Sequence, residues 1–324
     1  MLFASSRDDP PTKTQRAQRS NLNSFSVFMK SSIVAGVDIG GSHITAALIN
    51  LTDRKILPGS QRRDTVNANG TAGEIVGGWA SVIRDCFASH QLQSGRTGIA
   101  MPGPFDYNEG ISLIKDQGKY RSLYGLNVKE LLAEALNTDK ADITFTNDAA
   151  CFLQGELFSG VAKGYNTVFG ITLGTGFGSA FAKEGRAVDA DLWCMPFKNG
   201  IAEDYFSHGA LVARYASVSG RHVSNVKELA ELAETDEVAK EVFTELGINL
   251  GDLFLSVLRS TPAELIVIGG NISKAFNRFY PALKAVFQYH GLDIPVRVTQ
   301  LGEHASLVGA ASEWHNRKGT AIGR

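Results

Sequence analysis

Apolar positions along this chain recur with two different periods, and the switches between them mark out its elements. Short apolar runs at Ile33 to Val37, Thr45 to Ile49 and Lys55 to Leu57 predict a meander of strands. Thr71-Ala72-Gly73-Glu74 then has the form of a capping box. Ile75, Trp79, Val82, Ile83 and Phe87 follow at helical spacing and predict an amphipathic helix. Thr97 to Met101 predicts a buried strand that runs into a Pro102-Gly103-Pro104 loop. Asn127 is placed to cap a helix over Val128 to Leu136, and Ile143 to Thr146 predicts a strand ending at Asn147-Asp148, with a helix from near Ala149. Further on, Val242, Leu246, Leu250, Phe254 and Leu258 form one long helical stripe of core type. Glu264 to Ile268 predicts a buried strand, Ser273 a helix cap, Val296 to Thr299 a strand and Ser306 to Trp314 a closing helix. Strands alternating with helices make the fold class α/β.

Two stretches share one pattern. Val34 to Leu48 reads as strand, tight turn and strand, with Asp38 leaving the first strand and Gly40-Gly41-Ser42 in the turn. Val168 to Ala182 can be laid over it without a gap, 134 positions on. Gly36 falls on Gly170, Asp38 on Thr172, Gly40 on Gly174 and Ser42 on Gly176. A repeat of this length implies two similarly built lobes. Glycine lets a backbone turn sharply and approach a ligand closely, so such turns can offer N–H groups to phosphate oxygens. A bare carboxylate beside them would repel phosphate, which makes Asp38 a candidate to hold a hydrated Mg²⁺ accompanying a nucleotide. A β-hairpin with a surface Asp is the plainer account of the first turn alone; the second copy shifts the balance.

The 324 residues suffice for two domains with separate cores, and 44% hydrophobic and 20% charged residues are ordinary for a globular protein. A formal net charge of −1 gives no electrostatic case for a nucleic acid or an anionic membrane as partner. Cys86, Cys151 and Cys194 are far apart and show no Cys-x-x-Cys spacing. That argues against a disulfide framework or thiolate zinc site and fits a reducing cytoplasm. Residues 1–28 are rich in Ser, Arg, Gln and Asn and hold no apolar run of signal-peptide or membrane-span length. They are expected to form a loosely ordered extension, with Met29 as a natural start.

With these residues laid out, the chain resembles the ROK family (repressors, open reading frames, sugar kinases) of the actin and hexokinase superfamily, from about Met29 to Trp314. Asp38-Ile39-Gly40-Gly41-Ser42 resembles its first phosphate motif, Leu173-Gly174-Thr175-Gly176-Phe177-Gly178 the second, and Ile266 to Ile272 its adenosine motif. Asn147-Asp148-Ala149 resembles the catalytic segment. The resemblance implies a duplicated actin-like (ribonuclease H-like) fold: an N-terminal lobe over 29–145, a C-terminal lobe over 146–304, and a helix at about 305–316 packing back on the first lobe. It implies ATP- and Mg²⁺-dependent phosphorylation of a hexose or close derivative. Asp148 would be the base that takes the hydroxyl proton and Asn147 a partner for a neighbouring sugar hydroxyl. Gly174, Thr175 and Gly176 would meet the β- and γ-phosphates, Gly269, Gly270 and Asn271 the adenosine side, and Asp38 the metal through water. The Gly103 loop would enter the cleft on the sugar side, and a homodimer is expected by analogy. Asn147-Asp148 as a simple helix cap is the plainer alternative.

The chain departs from the family after the second hairpin. The family's Glu-x-Gly-His finds its best match in Asp191-Leu192-Trp193-Cys194, and the cysteine-rich zinc loop that follows it is missing, so no structural zinc is expected. Asp191 and Glu203 are the candidates for sugar contacts; Glu203 reads equally as a first-turn acid favoured by a helix dipole. Trp193 is expected to be a buried structural side chain rather than a stacking platform for sugar. These changes leave the identity of the sugar open, and with it two alternatives: a non-catalytic sugar sensor of the same fold, and a kinase using polyphosphate as donor.

Overall fold

The computed structural model describes residues 32–320, and the expected extension over residues 1–28 and the start at Met29 lie outside the described residues. The first meander forms β1 (Ile33–Ile39), β2 (His43–Asn50), β3 (Lys55–Ile56) and β4 (Arg62–Thr65). β4 has no apolar pattern, which is why the sequence does not announce it; it pairs with the turn-proximal half of β2, from His43↔Thr65 to Ala46↔Arg62. α1 (Ala72–Ala88) starts at the capping box: the Thr71 hydroxyl accepts the Glu74 N–H at 3.3 Å and the Glu74 carboxylate accepts the Thr71 N–H at 2.8 Å. β5 (Thr97–Met101) follows, then a small hairpin of β6 (Phe105–Asp106) and β7 (Ile111–Ser112). α2 (Val128–Leu136) is capped by Asn127 as expected, and β8 (Ile143–Asn147) closes a sheet of order β3-β2-β1-β5-β8.

The second half repeats the plan. α3 (Asp148–Ser159) leads to β9 (Thr167–Leu173), β10 (Phe177–Lys183) and β11 (Arg186–Asp189). A short antiparallel hairpin follows, β12 (Pro196–Phe197) and β13 (Gly200–Ile201). α4 (Glu203–Phe206), α5 (His208–Ser219), α6 (Val226–Leu232) and α7 (Glu237–Leu258) come next, and α7 carries the long apolar stripe. β14 (Leu265–Gly269), α8 (Phe276–Tyr289), β15 (Val296–Val298) and α9 (Ala305–Thr320) complete the chain. Ser273 does not cap α8. It lies in a 3₁₀ turn and its hydroxyl donates to the Gly270 carbonyl at 2.7 Å, while α8 starts three residues later.

The second sheet runs β11-β10-β9-β14-β15, the order and sense of the first: antiparallel hairpin, then two parallel neighbours. Each sheet has its own core, one around Trp79, Ile83, Tyr120 and Leu132, the other around Phe169, Leu246, Phe254 and Phe279. Among the described residues no helix is long and apolar enough to cross a membrane.

α9 joins the two halves backbone to backbone. A Cβ built on Gly36 of β1 would lie 2.0 Å from the Leu307 carbonyl oxygen, and one on Gly98 of β5 2.0 Å from that of Ala310. On the other side, a Cβ on Gly155 of α3 would lie 2.1 Å from the Ala305 oxygen, and one on Gly309 1.8 Å from the Cys151 oxygen. Only glycine permits these approaches. The buried carboxylate of Glu156 holds the approach to α9, accepting the Val161 and Leu301 N–H groups at 2.8 and 2.9 Å and the Thr299 hydroxyl.

Gly309→Ala should therefore cost about 3 kcal/mol of stability, the upper range for overpacking a closed site. Gly78→Ala, in α1 with open space around its Cα, should add about 1 kcal/mol. Equilibrium urea unfolding of the two variants measures both; equal effects would contradict the packing described.

Candidate active site

Asp38 and Asp148 come to one place from opposite halves. Asp38 is next to last in β1, and Asp148 opens α3 directly after β8, at the carboxyl ends of the parallel strands where open α/β sheets receive ligands. Both are half-buried. Desolvation pushes the Asp38 carboxyl up to about 7, and the Asp148 charge adds to it while Arg63 opposes it. Burial also raises Asp148; the Ala149 N–H, donated to its Oδ1 at 2.9 Å, and the Lys119 charge act the other way.

Asn147 is both the helix cap and a site residue. Its Oδ1 accepts the Ala150 N–H at 3.0 Å, which leaves Nδ2 to donate to Asp189 Oδ2 at 2.8 Å and toward the Tyr107 hydroxyl at 3.4 Å. Tyr107 donates in turn to the Met101 carbonyl at 3.0 Å, and burial raises its phenol so that it stays a donor. Gly103 faces this group: a Cβ there would lie 3.3 Å from the Tyr107 hydroxyl. Neither Tyr107 nor Asp189 is marked by any sequence motif. The one available signal for Asp189 is its place at the end of β11, two residues before the acid that the family comparison selects.

The two glycine turns are not superposable residue for residue. Ile39 pairs with Ile44, but Leu173 pairs with Phe177, so the second turn is one residue shorter. Gly40 N–H donates to the His43 carbonyl at 2.9 Å, whereas Gly174 N–H reaches only to Gly176, at 3.1 Å. Counted back from the paired strands, the counterpart of Ser42 is Thr175, not Gly176. The gapless overlay holds up to the turn and fails after it. Gly41, Ser42, Thr175 and Gly176 are exposed, and among the described residues no backbone carbonyl takes up their N–H groups. The Ser42 hydroxyl meets His43 Nδ1 at 2.8 Å. The second hairpin packs beside Asp148: a Cβ on Gly178 would lie 3.1 Å from the Ala149 Cβ. Gly269 and Gly270 abut the same hairpin, since a Cβ on Gly270 (φ +79°) would fall 2.2 Å from the Leu173 oxygen and one on Gly269 2.3 Å from the Phe152 ring. Asn271 is exposed next to them and accepts from Lys274 Nζ at 2.8 Å.

The segment from Asp189 to Glu203 departs from its sequence reading at Trp193. Asp191 Oδ1 accepts from the Trp193 indole at 2.7 Å, and the Asp191 backbone is left-handed. Trp193 is 44% exposed rather than buried, because the 3₁₀ turn Leu192–Cys194 carries it outward. Glu203 stands in the first turn of α4, but its carboxylate reaches the second glycine turn, accepting the Phe177 N–H at 3.0 Å beside Gly176.

The site suits a hydrated Mg²⁺. Burial raises both carboxyls and the Asp148 charge raises Asp38 further; a hard cation relieves that repulsion, and Mg²⁺ keeps several waters while taking only one or two protein carboxylates. Among the described residues no group of three or more His, Cys, Asp and Glu side chains is arranged to hold a metal directly, and Cys86, Cys151 and Cys194 are free.

A family model described as the ROK family matches residues 34–192 and 186–317. The chain belongs to the ROK family. Among ROK relatives, the N-acetylgalactosamine kinase AgaK of Shewanella sp. (strain ANA-3) is 25% identical over 316 residues, covering 86% of this chain and 96% of its own. The glucokinase of Thermotoga maritima is 27% identical over 315 residues, covering 86% and 95%. The ROK family glucokinase of Streptomyces griseus, solved in complex with glucose and AMPPNP, has a TM-score of 0.69 at 22% identity, covering 88% of this chain and 99% of its own. The ROK fold is the duplicated actin-like ATPase fold, as the two matching sheets display.

Because the Asp38 carboxyl is raised from 3.8 to about 7, the native state binds more protons than the unfolded chain between those values. The contribution of Asp38 to stability therefore falls as pH rises through that window and is level above it. Asp38→Asn should melt higher than the wild type, by a margin that grows from pH 5 to pH 8 in metal-free buffer. A margin independent of pH in thermal melts would refute the assignment.

Proposed function

We propose that this ROK-family sugar kinase transfers the γ-phosphoryl group of ATP to a hydroxyl of a hexose or hexose derivative, with Asp148 as general base. The observation that carries the reading is the meeting of Asp148 with Asp38, Asn147 and both glycine turns at one opening. Phosphoryl transfer needs little covalent chemistry from the protein: it needs the hydroxyl in line, its proton accepted and the developing charge stabilised. Asp148 takes the hydroxyl proton. Asn147, Asp189 and Tyr107 supply donors and acceptors for neighbouring sugar hydroxyls, and the Gly103 loop closes that side. The N–H groups of Gly40, Gly41 and Ser42 and of Gly174, Thr175 and Gly176 receive phosphate oxygens, while Gly269, Gly270 and Asn271 flank the adenosine. Asp38 holds Mg²⁺ through water, and the ion neutralises charge on the phosphates.

Two lobes that meet near residue 145 would form a cleft whose closure excludes water, which would otherwise compete with the sugar hydroxyl. The named activities of the relatives, on N-acetylgalactosamine and on glucose, support a hexose or its 2-acetamido derivative as acceptor. Glu203 and Asp191 contribute through the second turn and through Trp193; a direct sugar contact by either would require them to leave the partners they now hold.

Asp148→Asn should lower kcat about 1,000-fold, the scale of a lost general base, with sugar binding by calorimetry retained. The assay is ADP release across glucose, mannose and their 2-acetamido derivatives, with ATP or polyphosphate as donor. Sugar binding without sugar-dependent ADP release in the wild type would favour a sensor, and turnover with polyphosphate alone would change the donor.

A further inference from the structure

We propose that Lys119 is a further catalytic residue: its ammonium group serves the gap between the Gly40–Ser42 turn and Asp148, where it meets the phosphoryl group in transit. The inference rests on the reading of Asp148 as the base. Lys119 lies on the chain between β7 and α2, outside every motif of the sequence. Its side chain runs along the first turn, with its Cδ 3.5 Å from where a Cβ on Gly41 would be.

The next residue fixes it there. Tyr120 is fully buried with a left-handed backbone; its hydroxyl donates to the Gly40 carbonyl, its N–H donates to the Ala68 carbonyl at 2.7 Å, and its ring meets Trp79 edge-on at 5.4 Å. The turn and the lysine are thus one rigid unit. Lys119 itself is half-buried, and among the described residues no hydrogen bond or ion pair within 4 Å takes up its ammonium group. A half-buried cation with no hydrogen-bonded partner, beside a phosphate-type turn and acting on Asp148, is suited to charge that arrives with the substrate.

In the transfer, the sugar oxygen forms its bond to the γ-phosphorus and its proton passes to the Asp148 carboxylate. The bond from the γ-phosphorus to the β,γ-bridging oxygen breaks, and its electron pair leaves on ADP. Lys119 neither gains nor loses a proton. It stabilises the equatorial oxygens of the moving group, and its field favours the ionised form of Asp148. The titratable groups that feel the Asp148 charge are Asp38 from β1, Asp189 from β11, Tyr107 from the Gly103 loop region and Cys151 from α3. Arg63 of β4 acts on Asp38.

The test compares Lys119→Met, Lys119→Arg and Asp148→Asn with the wild type, using the best sugar of the panel and Mg²⁺-ATP. Lys119→Met should lose about 100-fold in kcat with the sugar KM within about threefold and an unchanged melting temperature. The acid limb of its residual kcat–pH profile should move to higher pH, and Lys119→Arg should recover at least about tenfold of the loss. A kcat near wild type in Lys119→Met, a loss confined to KM, an acid limb that stays in place, or no recovery with arginine would overturn the inference while leaving Asp148 as base. Full turnover in Asp148→Asn would overturn the base reading and this inference with it.

Discussion

α9 lies backbone to backbone against Gly36, Gly98 and Gly155, with no side chain between. Everything at the opening follows from that spacing. β1 carries Asp38 and α3 carries Asp148, and α9 is the element that touches both. A methyl group at any of the three glycines would drive the helix from the strand or from α3 by an ångström or more. The two carboxylates would then no longer share one desolvated space, and each would return toward its ordinary range. Close packing of small residues at a remote helix is thus what sets the electrostatics of the site.

That electrostatic arrangement is costly by itself. Two desolvated acids repel, and Arg63 and Lys119 offset the repulsion only in part, since the Asp38 carboxyl still stands at about 7. Such a site is tuned to receive cationic charge together with an anion, which is what a hydrated divalent ion on a polyphosphate delivers. The exposed N–H groups of both turns complete the complement.

The fold was legible in the sequence to the extent that local chemistry decides it. The capping box at Thr71, the Asn127 cap and the stripe on α7 became the elements they predict, because each depends on neighbours three or four positions away. The failures share a cause: they depend on partners distant in the chain. β4 exists because β2 has a free edge, not because Arg62 to Thr65 favour a strand. Ser273 looks like a cap but finds the Gly270 carbonyl, held by a left-handed glycine against Leu173. The overlay of the two hairpins is correct in the first strand and slips by one from the turn onward, since a glycine turn closes with either three or four residues and composition does not choose between them. At the site, motif residues were visible, but Tyr107, Lys119 and Asp189 were not, because each is an ordinary residue brought there only by where its loop is anchored.

The segment that replaces the family's zinc loop shows how such anchoring is done without a metal. Phe197 meets Tyr205 and Phe206 at 5.2 Å, and Phe206 meets Phe177 at 5.0 Å, so one aromatic column runs from the β12–β13 hairpin to the second glycine turn. Lys198 lies 5.8 Å from the Phe197 and Tyr205 rings and donates to the buried Asn249 of α7 at 2.5 Å, tying the hairpin to the core. Glu203 then accepts the Phe177 N–H at the end of that column. A zinc site fixes a loop by coordination; here edge-on and tilted aromatic contacts and one charge-assisted hydrogen bond fix it, and they reach the second glycine turn. Asn147, by contrast, keeps partners of its own, Asp189 and the Tyr107 hydroxyl.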